Sequence, residues 1–293
     1  MPIRLPTRLG AACGSRSGGD PVMLRSAIMR VLTTLAMVAL SGTLAGAADP
    51  LAEARRLYNL GQYENAAKFA RDAIKVPATA ESARLVLGRI QLERYRQTAE
   101  PDDLARAREA LTNVNPQGLE RRERAELTIG MGEALYLDDR FGPAVEVFER
   151  ALDSVESLAP AARDRLLDWW ATAIDRLALT RPRDQREPVY AQIVTRMEKE
   201  IAADPASAPA AYWVAAAARG AGNLDRAWNA AMAGWVTAPL GRDHGASLRA
   251  DLDRLMVQGI IPDRAVRLQP RDAKQAAAVM LSEWEALKAS WRR

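Results

Sequence analysis

An all-α fold made by repetition, an α-solenoid, is what the sequence predicts, and three observations predict it. From Leu51 onward apolar residues recur at intervals of three and four, as in Leu127, Met131 and Leu135 or Val145, Phe148 and Leu152, and no β-branched run reads as a strand. Turn-forming residues return roughly every 15–20 positions. A spaced set also recurs: Gly61-Gln62-Tyr63 leads to Ala66, Ala70, Ala73 and Pro77, and Asp139-Arg140-Phe141 to Ala144, Phe148 and Ala151. Gly222-Asn223-Leu224 leads in the same way to Ala227, Ala231, Gly234 and Pro239. Each set describes a tight turn, a helix with small residues along one stripe, and in two cases a proline that stops it.

The first element in chain order is a secretory signal. Arg25 and Arg30 precede the apolar run Val31–Leu40, and small residues follow up to Ala45-Gly46-Ala47. A basic start, a short apolar core and an A-x-A end predict a signal peptide over residues 1–47, cleaved after Ala47. Residues 1–22 then read as an over-called start, because Met23 opens a signal of ordinary proportions. An uncleaved N-terminal anchor is the alternative. The apolar run falls short of the roughly 20 residues a membrane span needs, so no stable membrane insertion is expected after cleavage.

Removing this segment changes the charge. It carries five of the 41 basic residues and one of the 37 acidic ones, so the remainder holds 36 of each and is formally neutral. Neutrality gives no support to nucleic acid as a partner, although a local basic face remains compatible with a neutral total. Cys13, the only cysteine, leaves with the signal. The mature chain therefore forms no disulfide and offers no thiolate, and a periplasmic or secreted location follows.

Residues 48–240 divide into five helix pairs. Met131-Gly132 and Leu135, then Phe141, Ala144, Phe148 and Ala151, mark the third; Val214-Ala215, Gly222, Ala227, Ala231, Gly234 and Pro239 mark the fifth. Leu87-Gly88 with Ala107, Ala110 and Pro116 mark the second more weakly, and Leu166 to Pro205 is a fourth recognised by length. These residues resemble the tetratricopeptide repeat superfamily: a large residue, Leu-Gly and Tyr on a first helix, then Ala, Phe and Ala on a second, closed by Pro. The resemblance implies a right-handed solenoid of about five units. Gly132 and Ala144 are expected to meet where two helices cross, and Tyr63, Phe141 and Leu224 to plug the hairpin turns. Extra length over the family's period is assigned to connections around Thr98–Asp103 and Leu179–Glu187. Residues 241–293 form a C-terminal helical cap, with a helix over 250–259, a turn or helix start at Ile260–Asp263, and a last helix over 272–291.

Catalytic chemistry is sparse. His244, the only histidine, lies in the glycine-flanked loop Gly241-Arg242-Asp243-His244-Gly245, and no His–His metal site, phosphate loop or nucleophile elbow is present. The acid pairs Asp102/Asp103 and Asp138/Asp139 fall at turns, where helix capping accounts for them. Arg121-Arg122-Glu123-Arg124 reads as a solvated helix face rather than an anion site. Trp169 and Trp170 are consecutive and point about 100° apart on a helix, so they cannot share one environment. The tryptophans serve either as fillers between alanine-rich helices or as exposed anchors for a partner.

By the family's geometry the first helix of each unit lines a groove, which implies Arg55, Tyr58, Arg89, Glu93, Glu133, Tyr136, Tyr212 and Arg219 as partner-binding residues. Leu51 and Leu85 stand where a carboxylate clamp would need cations, so that specificity does not carry over. The expected function is a non-catalytic, cofactor-free scaffold that binds a protein or peptide of the cell envelope. Two other readings remain: an enzyme or small-ligand binder with a site near His244 and Trp235, and a homo-oligomer that stacks through Trp284 and Trp291.

Overall fold

The computed structural model describes residues 49–153, 158–241 and 243–291. The expected signal peptide, its cleavage point and Cys13 lie outside the described residues. The chain is helical throughout the described part, with no strand. The first helices are α1 (Pro50–Asn59), α2 (Tyr63–Ile74), α3 (Ala80–Thr98), α4 (Pro101–Thr112), α5 (Arg121–Leu137) and α6 (Phe141–Asp153). Then come α7 (Pro160–Leu179), α8 (Glu187–Ala203), α9 (Ala208–Gly220) and α10 (Leu224–Thr237). The last are α11 (Ala246–Leu255), α12 (Ile261–Leu268) and α13 (Ala273–Ser290). Of these, α1 to α10 fall within residues 48–240.

Local chemistry explains the boundaries. Asp49 caps α1 by accepting from the Leu51 amide at 3.0 Å, and Pro50, Pro101, Pro160 and Pro209 stand in first turns, where a missing N–H costs nothing. Three hairpin turns share one design. The residue after the helix adopts a left-handed conformation at Gly61 (φ 71°), Asp139 (φ 55°) and Gly222 (φ 80°). The next amide then reaches back to a carbonyl five residues earlier: Gln62 to Leu57, Arg140 to Leu135, and Asn223 to Ala218, each at 2.9 Å. This is the Schellman closure, and it puts the following stripes in the same register. Ala66, Ala70 and Ala73, Ala144, Phe148 and Ala151, and Ala227 and Ala231 are accordingly buried without remainder. Tyr63 and Phe141 cover their turns by packing on Tyr58 and Tyr136, at 5.7 and 5.6 Å between ring centroids.

Each helix from α1 to α10 packs on its successor, as α12 does on α13, and the odd-numbered helices also pack on one another in sequence, from α1·α3 through α9·α11. No comparable packing joins α2 to α4, α4 to α6, α6 to α8 or α8 to α10. Between the layers runs a core in which Phe148, Leu166, Trp170, Ile174, Ile193 and Met197 are wholly buried. Each such side chain contributes roughly 1.5–3 kcal/mol of burial.

At Gly132 an added Cβ would lie 2.6 Å from the Phe148 ring and 3.1 Å from Val147, so α5 and α6 approach closely there. One expectation needs correction. The extra length after the second unit's first helix is not a loop: α3 runs on to Thr98, and only Ala99 and Glu100 separate it from α4. In the cap, the helix start expected at Ile260–Asp263 is present, with α12 beginning at Ile261 and Pro262 in its first turn, but no loop precedes it. A π-helical turn, Met256–Ile260, joins α11 to α12, and its wider i→i+5 bonding passes Pro262 without the steric clash an α-turn would impose.

Candidate functional site

Because α1, α3 and α5 lie side by side, residues one or two helical turns apart on each form a common surface. Arg89, Glu93 and Arg96 occupy one stripe of α3, and Glu123, Glu126 and Glu133 one stripe of α5. Between them the helices bound two adjoining cavities. One of 530 Å³ lies between α1, the first half of α3 and the start of α5; the other, of 290 Å³, extends to the start of α7. Tyr58, Arg89, Arg122 and Glu126 border both.

The walls are knitted by charge pairs between helices. Arg55 pairs with Glu123, Arg89 with Glu126 at 2.6 Å, and Arg96 with both Glu93 at 2.8 Å and Glu133. Glu126 also accepts from Arg122 at 3.2 Å. Arg89 stacks over the Tyr58 ring at 4.8 Å and donates a long hydrogen bond, 3.4 Å, to its hydroxyl, which in turn donates to Glu93 at 3.3 Å. Arg96 covers the Trp169 ring at 4.6 Å. Burial pushes the Tyr58 and Tyr63 hydroxyls above the usual tyrosine value.

Five of the eight sequence-derived candidates, Arg55, Tyr58, Arg89, Glu93 and Glu133, meet at these cavities. The other three do not border them. Tyr136 packs on Phe141, and Arg219 is tied to Asp263 of α12 at 2.7 Å. Tyr212 stacks edge-on against Trp213 at 5.5 Å, in an acidic stretch of the same helix layer. Its hydroxyl is raised by burial and then by Asp251, Asp168 and Asp175; the Asp168 carboxyl is raised by burial, against the hydrogen bond it accepts from Trp213 at 2.8 Å.

Residues that sequence reasoning missed are Arg96, Arg122, Glu123, Glu126, Arg165 and Trp169. A heptad-spaced signal was present, since Arg96 follows Arg89 by seven and Glu133 follows Glu126 by seven. Within Arg121-Arg122-Glu123-Arg124, Glu123 is buried and reciprocates with Glu120 in a capping box, so the segment is not uniformly a solvated face.

The tryptophans divide clearly. Trp170, Trp213, Trp228, Trp235 and Trp284 are buried, Trp169 is half-buried at the second cavity, and Trp291 is half exposed. Trp170 points the other way from Trp169 and floors an outer depression between α6 and α8. Burial of Trp284 removes it as an exposed stacking residue. His244 is exposed at φ 53°, whereas Trp235 is buried between Arg249 and Lys288, at 5.2 and 5.7 Å from its ring. Among the described residues no group of three His, Cys, Asp or Glu side chains is placed to hold a metal ion, and no helix is long and apolar enough to cross a membrane.

Compared with known proteins, the chain matches no family model and no curated protein. What fold and site define is therefore a class: an all-helical protein whose odd-numbered helices carry an arginine- and glutamate-lined cleft edged by aromatic rings.

Proposed function

We propose that this chain is a non-catalytic interaction scaffold of the cell envelope. In this reading residues 48–240 form a right-handed solenoid of five tetratricopeptide-like units, residues 241–293 cap it, and the signal peptide delivers it to the periplasm or the exterior. A protein or peptide segment binds along the odd-helix layer. The observation that carries the reading is the gathering of Arg55, Tyr58, Arg89, Glu93 and Glu133 from three helices into adjoining cavities, through packing of odd helix on odd helix. The repeated hairpin closure at Gly61, Asp139 and Gly222 supports repetition. An active site built on His244 and Trp235 is disfavoured, because one is exposed and the other is buried under two cations.

Crosslinked pull-down from the native envelope tests this. The wild-type chain is expected to recover a discrete partner, and a Tyr58→Ala/Arg89→Ala variant that keeps its helical signal is expected to lose it. Equal recovery by both would remove the cleft from the function, and recovery of nothing by the wild type would remove the scaffold reading.

A further inference from the structure

In two ion pairs of the cleft the arginine is far more exposed than its carboxylate. Glu123 is 12% exposed while its partner Arg55 is 48% exposed, and Glu126 is 24% exposed while Arg122 is 71% exposed. Glu120 and Glu123 are further committed to backbone amides through the capping box of α5. Arg165, at the rim of the second cavity, is exposed and forms no ion pair with any described residue. A guanidinium has five N–H donors and one carboxylate occupies at most two. Arg55, Arg122 and Arg165 thus keep spare donors at the rim, where Glu120 is the exposed carboxylate, while the inner pairs Arg89–Glu126 and Arg96–Glu93 are matched in exposure.

The floor between these groups is apolar. Leu51, Leu85 and Val86, all buried, line the first cavity, and Ile129 and Leu158 line the second. No cation replaces Leu51 or Leu85 to hold a chain terminus.

We infer that the occupant of this cleft is an internal peptide segment in which acidic and aliphatic residues alternate, bound extended. This rests on the binding reading proposed above and names its ligand chemistry. Side chains of an extended segment point alternately to opposite faces. Aliphatic ones face the floor, and carboxylates face Arg122, Arg165 and the free edge of Arg55. A continuous polyanion fits worse, because the glutamates beneath the rim repel charge brought to the floor.

The test uses the full-length protein and three short peptides blocked at both ends, so that no terminal carboxylate contributes. One alternates Glu with Leu, one carries Gln for every Glu, and one carries Lys; each bears a photo-crosslinking residue. The acidic peptide is expected to bind, to crosslink to α3 or α5, and to lose about tenfold in affinity with Gln for Glu or against an Arg122→Gln/Arg165→Gln variant. Both arginines are exposed, so the variant keeps the fold. High salt is expected to weaken the acidic peptide alone.

If acidic and Gln peptides bind the cleft alike, the acid preference is overturned and the binding reading stands. If no peptide crosslinks to the cleft, both fall. If a single-stranded oligonucleotide displaces the acidic peptide at lower concentration than the peptide itself needs, the polypeptide class is wrong.

Discussion

The cleft at α1, α3 and α5 and the junction of α10, α11 and α13 use the same interaction in opposite ways. In the cleft Arg89 and Arg96 lie over Tyr58 and Trp169, rings that border open cavities. At the junction Arg249 and Lys288 lie over Trp235, which meets Trp284 edge-on at 5.1 Å, and both rings are buried. Asp253 accepts from the Trp284 indole at 2.8 Å and from the Lys288 ammonium at 2.7 Å, which closes that assembly on itself. A cation over an aromatic ring is therefore no marker of a binding site. What separates the two regions is whether spare donors and ring faces remain accessible.

Trp284→Ala is the strongest way to break this contrast. Removing a wholly buried ring and its hydrogen bond is expected to cost about 3–5 kcal/mol, read by chemical denaturation, while peptide binding at the distant cleft is retained. A cost below about 1 kcal/mol would mean the junction is not the closed element described.

Lys288→Met comes next, at about 2 kcal/mol near neutral pH, because it strips Asp253 of its cation but leaves that partly exposed carboxylate solvated. The pH dependence has a definite sign. Burial pushes the Lys288 ammonium down, but the hydrogen bonds it donates to Asp253 and Glu285 raise it above its ordinary 10.5. Its contribution is then fully present below pH 10.5 and lost as pH rises through the raised value. The variant should flatten the alkaline limb of the stability profile; an unchanged limb would contradict the pairing.

Gly132→Ala probes the packing beneath the cleft. The added carbon would overlap the Phe148 ring, buried on all sides, and this should outweigh the gain in helix propensity, for a net loss of about 1–2 kcal/mol. A stabilised variant would show that the helices under the cleft are loosely packed. Arg122→Gln is the smallest effect, within about 0.5 kcal/mol of wild type in stability, because its ion pair is solvent-facing. Its consequence should appear in binding alone.

The hairpins were legible because Gly61 and Gly222 announce a left-handed residue, and Asp139 could be read by register with them. The small stripes followed from the same register. The cap was less legible: Pro262 reads as a break, and nothing in propensity signals that a π-turn carries the helix past it. For the site, family geometry led to the residues of α1 and α3 but missed how they pair. Arg55 and Glu123 are 68 positions apart and Arg89 and Glu126 are 37 apart, so their pairing exists only once helices of successive pairs are stacked. Tyr212 and Arg219 were chosen by the same geometry, yet α12 reaches across to take Arg219, a contact no repeat pattern contains.

Trp169 and Trp170 hang from neighbouring Cα atoms of one helix. One ring lies under Arg96 at the inner cavity and the other floors the depression between α6 and α8, so a single turn of α7 supplies a wall to each.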